Sequence, residues 1–273
     1  MVVRRAMGEL VNHGKYAISD PIQYLYFIFD FISKRQFLNK KPYLQDKDDM
    51  VRNLFLMRLL HIDKNTVNRI ISELYSDKAF IEYVTSSLRG VGRYIGEISS
   101  PEILYVVVRK MYPDIIVETG VAAGVSSAFI LKALEDNGKG VLYSIDMPNY
   151  EVELSKQGVM RYPIAILPEG KEVGFAVPEW LKQRWHLTIG KSQNVLTALL
   201  SKLGSIDIFL HDSEHTYANM YFEFSTAWQF LRKDGILISH DVSWNRAFSD
   251  FARKVKRKAI YMFGSDIGAV RKT

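Results

Sequence analysis

The sequence of 273 residues contains no cysteine, so disulfide bonds and thiolate metal sites are both excluded. A cysteine-free chain fits a reducing compartment, and we expect a cytoplasmic protein. Long apolar runs are also missing. The most apolar early stretch, residues 21–32, spans about twelve residues and is interrupted by Gln23 and Asp30, whereas a membrane helix needs about 20. The first residues, MVVRR, are not followed by the apolar core of a signal peptide.

Positive charge is concentrated in residues 246–273. The formal net charge is +6, and residues 246–273 contain 8 Lys and Arg against 2 Asp and Glu. Such a cluster would suit a nucleic acid or an anionic surface. No aromatic residues are interleaved with these charges, which favours a solvated helix face, so no nucleic-acid partner is expected. The cluster consists of Arg253, Lys254, Lys256, Arg257 and Lys258.

Residues 1–95 are predicted to form a mostly helical N-terminal extension or cap. Apolar residues recur at three- and four-residue spacing from Leu56 to Leu60 and from Val67 to Leu74, with a helix start at Asn65-Thr66. Residues 21–32 would also place apolar side chains on one helical face. Core packing or a cap over the active site is the favoured interpretation, and a membrane-lying or dimer-forming helix is the alternative. Exposed apolar faces in residues 20–75 would suit a homo-oligomer.

Residues 96–273 are predicted to form the catalytic domain. Short apolar runs alternate there with helical patterns, which is typical of βαβ units. We predict an α/β fold with a doubly wound, seven-stranded, Rossmann-like sheet: five strand–helix units, then a hairpin at residues 264–266. Residues 147–184 form a long insertion rich in Pro and Gly, which predicts a lid or substrate loop. The strands are predicted at residues 114–118, 140–146, 185–190, 206–212, 236–240, 259–263 and 267–270.

Two glycines follow the first predicted strand. The order is Glu118, Gly120 and Gly124, and then Ser126 at the start of a helix. Doubly wound sheets bind ligands beyond the carboxyl ends of their strands, and glycine lets a ligand lie against the backbone. The turn from Glu118 to Gly124 is therefore the predicted cofactor turn.

Asp146 ends the second predicted strand, about 20 residues after Gly124, where an acid accepts hydrogen bonds from the ribose hydroxyls of an adenosine. A nicotinamide dinucleotide is disfavoured, because Ala122 stands where the second glycine of its fingerprint would be. The turn Gly190-Lys191-Ser192 resembles the end of a P-loop. However, Trp185 occupies the position of the glycine that a P-loop requires, so that interpretation is rejected.

Four segments together resemble a known family. They are ETGVAAGVSS from Glu118, YSID ending at Asp146, IDIFLHDSEHTY from Ile206, and GILISHDV ending at Val242. Over about residues 96–270, they resemble the class I O-methyltransferases that use S-adenosylmethionine (SAM), in the cephalosporin-hydroxylase-like and macrolide O-methyltransferase group. The resemblance implies a Rossmann-like methyltransferase fold with SAM as cofactor.

The resemblance also implies roles in holding SAM. Glu118 and Gly120 would lie near its methionine end, and Asp146 would hold its ribose. The turn Gly190-Lys191-Ser192 would border the adenine, although relatives often carry an acid where Lys191 stands. The full set of predicted cofactor-binding residues is Glu118, Gly120, Gly124, Ser126, Asp146, Gly190, Ser192 and Asp212.

In metal-dependent relatives, an acid after strand four and an acidic pair after strand five bind Mg²⁺. Asp212 and Asp241 match these positions, but His240 stands first in the pair. Mg²⁺ prefers ligand sets made of oxygen alone. Three alternatives follow: Asp212 and Asp241 hold Mg²⁺ with waters, a softer ion such as Mn²⁺ includes His240, or no metal binds.

His215 follows Asp212 by three residues, where relatives carry a proposed base. A histidine of near-neutral pKa suits removal of a proton from a hydroxyl. We expect His215 and Asp212 to be catalytic; a helix cap is the alternative role of His215. His211 is predicted to point to the other side of the strand as a packed residue, while Trp244 and Tyr217 would line a substrate pocket or pack in the core.

The leading hypothesis is therefore O-methylation of a hydroxyl on a small molecule, such as a sugar or a polyketide-like compound. One alternative is an RNA methyltransferase that uses the basic C-terminus. The other is a non-catalytic, SAM-binding scaffold in which residues 1–100 form the working interface.

Overall fold

The computed structural model describes residues 50–89, 91, 98, 100–149, 167–262 and 264–273. The prediction for residues 21–32 lies outside these residues. The centre is a seven-stranded sheet, as predicted, in the order β3-β2-β1-β4-β5-β7-β6. The strands are β1 (Ile115–Thr119), β2 (Val141–Asp146), β3 (Trp185–Ile189), β4 (Ile206–His211), β5 (Leu231–Ser239), β6 (Ala259–Met262) and β7 (Ile267–Arg271).

The order of the strands determines where a ligand site can lie. β1 pairs in parallel with β2 on one side and with β4 on the other. The chain thus winds outward in both directions from β1, and the crevice beyond the carboxyl ends of β1 and β4 is the switch point at which such sheets bind ligands. β7 runs antiparallel to both β5 and β6, which closes the edge with the predicted hairpin.

The helices of the described residues cover both faces of the sheet. Two core clusters, one on each side, are formed by the apolar side chains of the strands and the flanking helices. The helices are α1 (Met50–Leu60), α2 (Lys64–Ser76), α3 (Lys78–Ser87), α4 (Glu102–Met111), α5 (Val125–Asn137), α6 (Ser192–Leu203), α7 (Tyr217–Phe230) and α8 (Ala247–Lys254), with a 3₁₀ helix at Glu179–Arg184.

The helices of residues 50–87 share a hydrophobic core with the sheet. The predicted apolar stripes from Leu56 to Leu60 and from Val67 to Leu74 are buried, in one cluster with strand residues such as Ile116. The start of α2 differs from the prediction. Its N-cap is Asp63, whose carboxylate accepts a hydrogen bond from the backbone N–H of Thr66. An acid just before a helix supplies the acceptor that its first turn lacks.

Among the strands, the largest departure from the predicted bounds is in β5, which begins at Leu231 and not at Ile236. Asp234-Gly235 was predicted as a turn before the strand. In the structure, Asp234 has a φ of +63° and the pairing with β4 shifts register between Ile206 and Ile208. The turn residues therefore form an irregularity within a longer strand, because Leu231 already pairs with Ile206.

Among the described residues, none of the helices has the length and apolar character needed to cross a membrane.

Candidate active site

The predicted cofactor turn begins with a close backbone contact. Gly120 has a φ of +83°, and its N–H donates to the carbonyl of Ile145 at 2.9 Å. A Cβ at Gly120 would overlap the main-chain carbonyl of Asp212, the first residue after β4. Since only glycine combines that φ with that proximity, the turn after β1 lies directly against the residue that begins the acid loop.

The other end of the turn is covered by the insertion. Gly124 has a φ of +91°, and a Cβ there would lie 2.7 Å from the Cα of Gly174. The N–H of Gly174 donates to Ala122 and that of Ala176 to Ala123, each at 2.8 Å. Part of the predicted substrate loop therefore forms a wall beside the turn, and Gly124 serves this packing.

Glu118 and Ser126 lie beneath the turn. The Glu118 carboxylate is fully buried and accepts hydrogen bonds from Ser126, Ser127 and Ser144 at 2.5, 2.6 and 2.8 Å. Burial raises the pKa of Glu118 to about 7, against the effect of these three donors. The network joins β1, β2 and the start of α5, so both predicted cofactor residues support the shape of the turn from below.

Asp146 holds the outer side of the same turn. Its Oδ2 accepts hydrogen bonds from the backbone N–H groups of Val121 and Ala122 at 2.6 and 2.8 Å. Burial raises its pKa, and the charge of Asp212 adds to that effect. Its carbonyl accepts a hydrogen bond from the N–H of Gly190 at 2.8 Å. The predicted ribose and adenine positions are therefore adjacent in the structure.

The structure brings together the three residues predicted to hold a metal. One ligand atom from each of Asp212, His240 and Asp241 lies within 4.8 Å of the others, and all three side chains are only partly exposed. His240 Nδ1 is 2.9 Å from Asp212 Oδ1 and 3.7 Å from Asp241 Oδ2. Asp241 has a φ of +51°, a strained value that is typical of functional sites.

The pKa values of His240 and Asp241 are shifted from their ordinary values. Burial opposes protonation of His240, but the charge of Asp212 and its hydrogen bond outweigh burial and raise the pKa to about 9. Burial raises the pKa of Asp241 to about 7; the charge of His240 opposes this shift and that of Asp212 adds to it. His240 therefore carries a proton that it donates to Asp212, and a metal ion would have to displace that proton.

His215 completes the cluster, as predicted. Its Nε2 lies 3.2 Å from Asp241 Oδ2 and 4.0 Å from Asp212 Oδ1. Its Nδ1 is buried with no hydrogen-bond partner in the described part of the chain. Burial, and then the neighbouring His211 and His240, hold the pKa of His215 well below its usual value. The ring is therefore neutral near pH 7, and Nε2 is the nitrogen that faces the acids.

The side chain beside His215 is an exposed tryptophan. The ring of Trp244 is 5.2 Å from that of His215 and is half exposed. The adjacent Asn245 donates to the carbonyl of His215 at 2.9 Å, which fixes this loop to the start of α7. Tyr217 is also exposed, and its hydroxyl donates to Asp250 at 3.2 Å. Both aromatic residues therefore lie at the surface around His215 and not in the core.

Sequence reasoning did not assign a role to Glu223, the buried acid behind this cluster. His211 Nδ1 lies 2.6 Å from its Oε2, so His211 is the packed residue that was predicted. Burial would raise the pKa of Glu223, but the charge and hydrogen bond of His211 outweigh it and lower the pKa. The available signal was an acid between Met220 and Phe224 on the apolar face of a helix. Ser192, predicted to border the adenine, is buried beside this group and donates to Asn219 at 3.3 Å.

The basic C-terminal cluster is exposed except for the half-buried Val255 within it. The Nζ of Lys254 lies 5.3 Å from the ring centroid of Tyr221, which stacks on Tyr217 at 5.7 Å. The basic cluster therefore has aromatic neighbours, Tyr221 and Tyr217, that come from a different part of the sequence.

Comparisons with known proteins agree with this geometry. Residues 117–242, from β1 to the loop after β5, match the family model of a methyltransferase domain. The structure is similar to the O-methyltransferase NovP (TM-score 0.51, 16% identity, 74% of this chain and 99% of that chain). It is also similar to the SAH-bound methyltransferase PaMTH1 of Podospora anserina (TM-score 0.50, 13% identity, 78% and 97%). No curated protein matches the sequence. The fold is thus the Rossmann-like methyltransferase fold.

Proposed function

We propose that the protein, whose residues 117–242 match the family model of a methyltransferase domain, is a SAM-dependent enzyme that methylates a hydroxyl group of a small molecule. The observation that carries the proposal is the position of the neutral His215 among acids next to the cofactor turn. The main chain of Asp212 touches Gly120, and the Nε2 of His215 faces Asp212 and Asp241. The proposed base is therefore close to the turn at which we propose that SAM binds.

The chemistry needs a proton acceptor that is unprotonated at neutral pH. The acceptor's hydroxyl oxygen attacks the methyl carbon of SAM. The carbon–sulfur bond breaks, and its electron pair stays on sulfur to give S-adenosylhomocysteine (SAH). The hydroxyl proton passes to Nε2 of His215, whose lowered pKa keeps the ring free to accept it. Asp241 at 3.2 Å then stabilises the imidazolium that forms.

The same cluster fits a divalent ion. Asp212 and Asp241 provide carboxylate oxygens and His240 provides a nitrogen, in one partly exposed group. A set that includes imidazole suits Mn²⁺ better than Mg²⁺, so Mn²⁺ is the ion we propose. A bound ion would lower the pKa of a hydroxyl that coordinates it. Asp212, His240 and Asp241 would be its ligands, and His215 would remain the proton acceptor.

The position of Trp244 is an argument for a small acceptor that has a flat or ring-shaped face. Its half-exposed indole lies against the proposed base, where it offers a surface on which a sugar or an aromatic ring can stack. We propose that such a ring presents its hydroxyl to His215.

The proposal is tested by incubating the protein with SAM, Mn²⁺ and two hydroxyl probes, methyl glucoside and 3,4-dihydroxybenzoate, and by measuring SAH. Release of SAH with a methylated probe supports it, and total RNA is the competing acceptor. Methylation of RNA alone, lost when Lys254, Lys256 and Arg257 are neutralised, would instead favour the RNA methyltransferase.

A further inference from the structure

Glu223 of α7 has a fully buried carboxylate, and both of its oxygens take part in hydrogen bonds. Oε2 accepts a hydrogen bond from Thr119 Oγ1 at 2.5 Å and lies 2.6 Å from His211 Nδ1. Oε1 accepts from Ser213 Oγ at 2.7 Å and from Asn219 Nδ2 at 3.0 Å. Four groups from different parts of the chain thus meet on one side chain.

These four groups belong to the segments that build the site. Thr119 and His211 are paired residues at the ends of β1 and β4, and each is followed by a site residue, Gly120 or Asp212. Ser213 lies inside the loop between Asp212 and His215. Glu223 therefore connects the cofactor turn to the loop that carries the acid and the base.

Asn219 extends the same connection. Its side-chain amide also donates to the carbonyl of Glu214 at 3.0 Å and to Ser213 Oγ at 3.2 Å. Residues 213 and 214 are thus held from two directions by one helix. A loop bonded in this way keeps its conformation without help from a ligand.

The chemistry of this position requires a carboxylate. An ionised Glu offers two acceptor oxygens, whereas Gln offers one and places an NH₂ group toward donors. In Glu223→Gln, either the pair Thr119 and His211 or the pair Ser213 and Asn219 would lose its acceptor. The side chain keeps its volume, so this variant changes hydrogen bonding with little effect on packing.

We propose that Glu223 is a positioning residue for methyl transfer, which holds residues 212–215 against the end of β1 so that Asp212 and His215 keep their places beside the cofactor turn. The kinetic part of this statement rests on the proposed function. The geometric part does not, because it concerns only the orientation of His215 and its neighbours.

A matched control lies at the opposite end of β4. Asp207 is also a buried carboxylate, and it accepts hydrogen bonds from the backbone N–H groups of Asp114 and Ile115 at 2.8 and 2.7 Å. Asp207→Asn thus removes a carboxylate that joins the same two strands, but far from the site. Thermal unfolding of both variants measures the loss of stability that each substitution causes.

The experiment compares Glu223→Gln, Asp207→Asn and the wild type by histidine ¹H–¹⁵N spectra, SAM titration, and kinetics with whichever hydroxyl probe the wild type methylates. In Glu223→Gln we expect displaced ring signals of His215 and a kcat lowered by about 10- to 100-fold, with KM for SAM within about threefold. Asp207→Asn should lose stability while keeping its His215 signals and its kcat.

Two results would overturn the proposal. One is a folded Glu223→Gln with wild-type ring signals and kcat; the other is an equal loss of kcat in Asp207→Asn at equal stability. Should Glu223→Gln not fold, Ser213→Ala removes a single donor and must displace the same signals. If the wild type binds SAM but methylates neither probe, the proposed function is in question, and the His215 signals still decide the positioning role.

Discussion

Gly120 and Asp212 touch through their main chains: a single Cβ at Gly120 would overlap the Asp212 carbonyl. Gly120 follows β1 and Asp212 follows β4, and the two strands are neighbours in the sheet. The residue proposed to lie against SAM and a residue proposed to take part in the chemistry are therefore in direct contact. A substitution that adds a side chain at Gly120 must therefore displace the main chain of Asp212.

The first prediction concerns this contact. Gly120→Ala must push the turn and the acid loop apart, because the new Cβ overlaps the main chain of Asp212. Gly138→Ala is the control: Gly138 has a φ of +69° and no atom lies within 4 Å of its added Cβ, so that substitution causes backbone strain alone. Both should lose about 1–2 kcal/mol in free energy of unfolding through that strain. We expect only Gly120→Ala to lose SAM affinity, by about tenfold or more. Calorimetry with SAM distinguishes them, and equal affinities in the two variants would contradict the assignment.

The second prediction concerns the base. His215→Ala should lower kcat by about 10²- to 10⁴-fold with little change in the Kd for SAM, because only the proton transfer is lost. His186→Ala is the matched control, since His186 is exposed on the edge strand β3 and stacks on Tyr143. Steady-state kinetics test both. A His215→Ala variant with wild-type kcat would exclude His215 as the proton acceptor.

The third prediction concerns the metal. We expect the wild type to bind Mn²⁺ more tightly than Mg²⁺, and His240→Asp to reverse or narrow that preference by making the donor set all oxygen. Paramagnetic resonance of Mn²⁺, with Mg²⁺ as competitor, measures the ratio. Asp136→Asn is a suitable control, because Asp136 bonds to Tyr105 and Lys132 and lies outside the ligand set. Absence of Mn²⁺ binding in the wild type would contradict the proposed metal site.

The fourth prediction is a pH dependence of stability caused by Glu118. Its pKa is about 7 in the folded protein against 4.5 as the ordinary value, so the folded state binds the proton more tightly. The resulting stabilisation is complete below pH 4.5 and is lost as the pH rises through about 7, for a total of at most about 3 kcal/mol. Glu118→Gln should remove this component. The difference between the two unfolding curves over that range isolates it, and parallel curves would contradict the assignment.

The fifth prediction concerns the acceptor. Trp244→Ala should raise KM for a ring-shaped acceptor by about tenfold, since a stacking surface is lost, and should leave the Kd for SAM unchanged. Trp180→Ala serves as control: Trp180 is equally exposed but lies on the 3₁₀ helix against Tyr83. If both variants behave alike, Trp244 does not contact the acceptor.

Much of the fold was predictable because its signals are local. The buried strands are apolar runs bounded by turn residues, and the rule that ligands lie beyond strand ends selected the Glu118–Gly124 turn and Asp146. The roles of Asp212 and His215 were implied by the resemblance to the O-methyltransferases. The start of β5 was not predictable, since Asp234-Gly235 has the same local signature in a turn and in a strand irregularity. Pairing with β4 decides between them.

The site's supporting network was not predictable for a different reason. Glu118 looked like a ligand contact because it ends a strand, yet three serines distant in sequence or on the next helix use its oxygens. Glu223 is a lone acid on an apolar helix face, and its four partners become visible only when α7 is placed on the sheet. Strand ends indicate where chemistry occurs, whereas tertiary packing decides which polar groups are already used.

The most direct test of the central claim is calorimetric titration of the purified wild-type protein with SAM and with SAH, in the presence of Mn²⁺. We expect one binding site for each, with affinity lost in Gly120→Ala and kept in His215→Ala. A wild-type protein that is folded and binds neither compound would contradict the account.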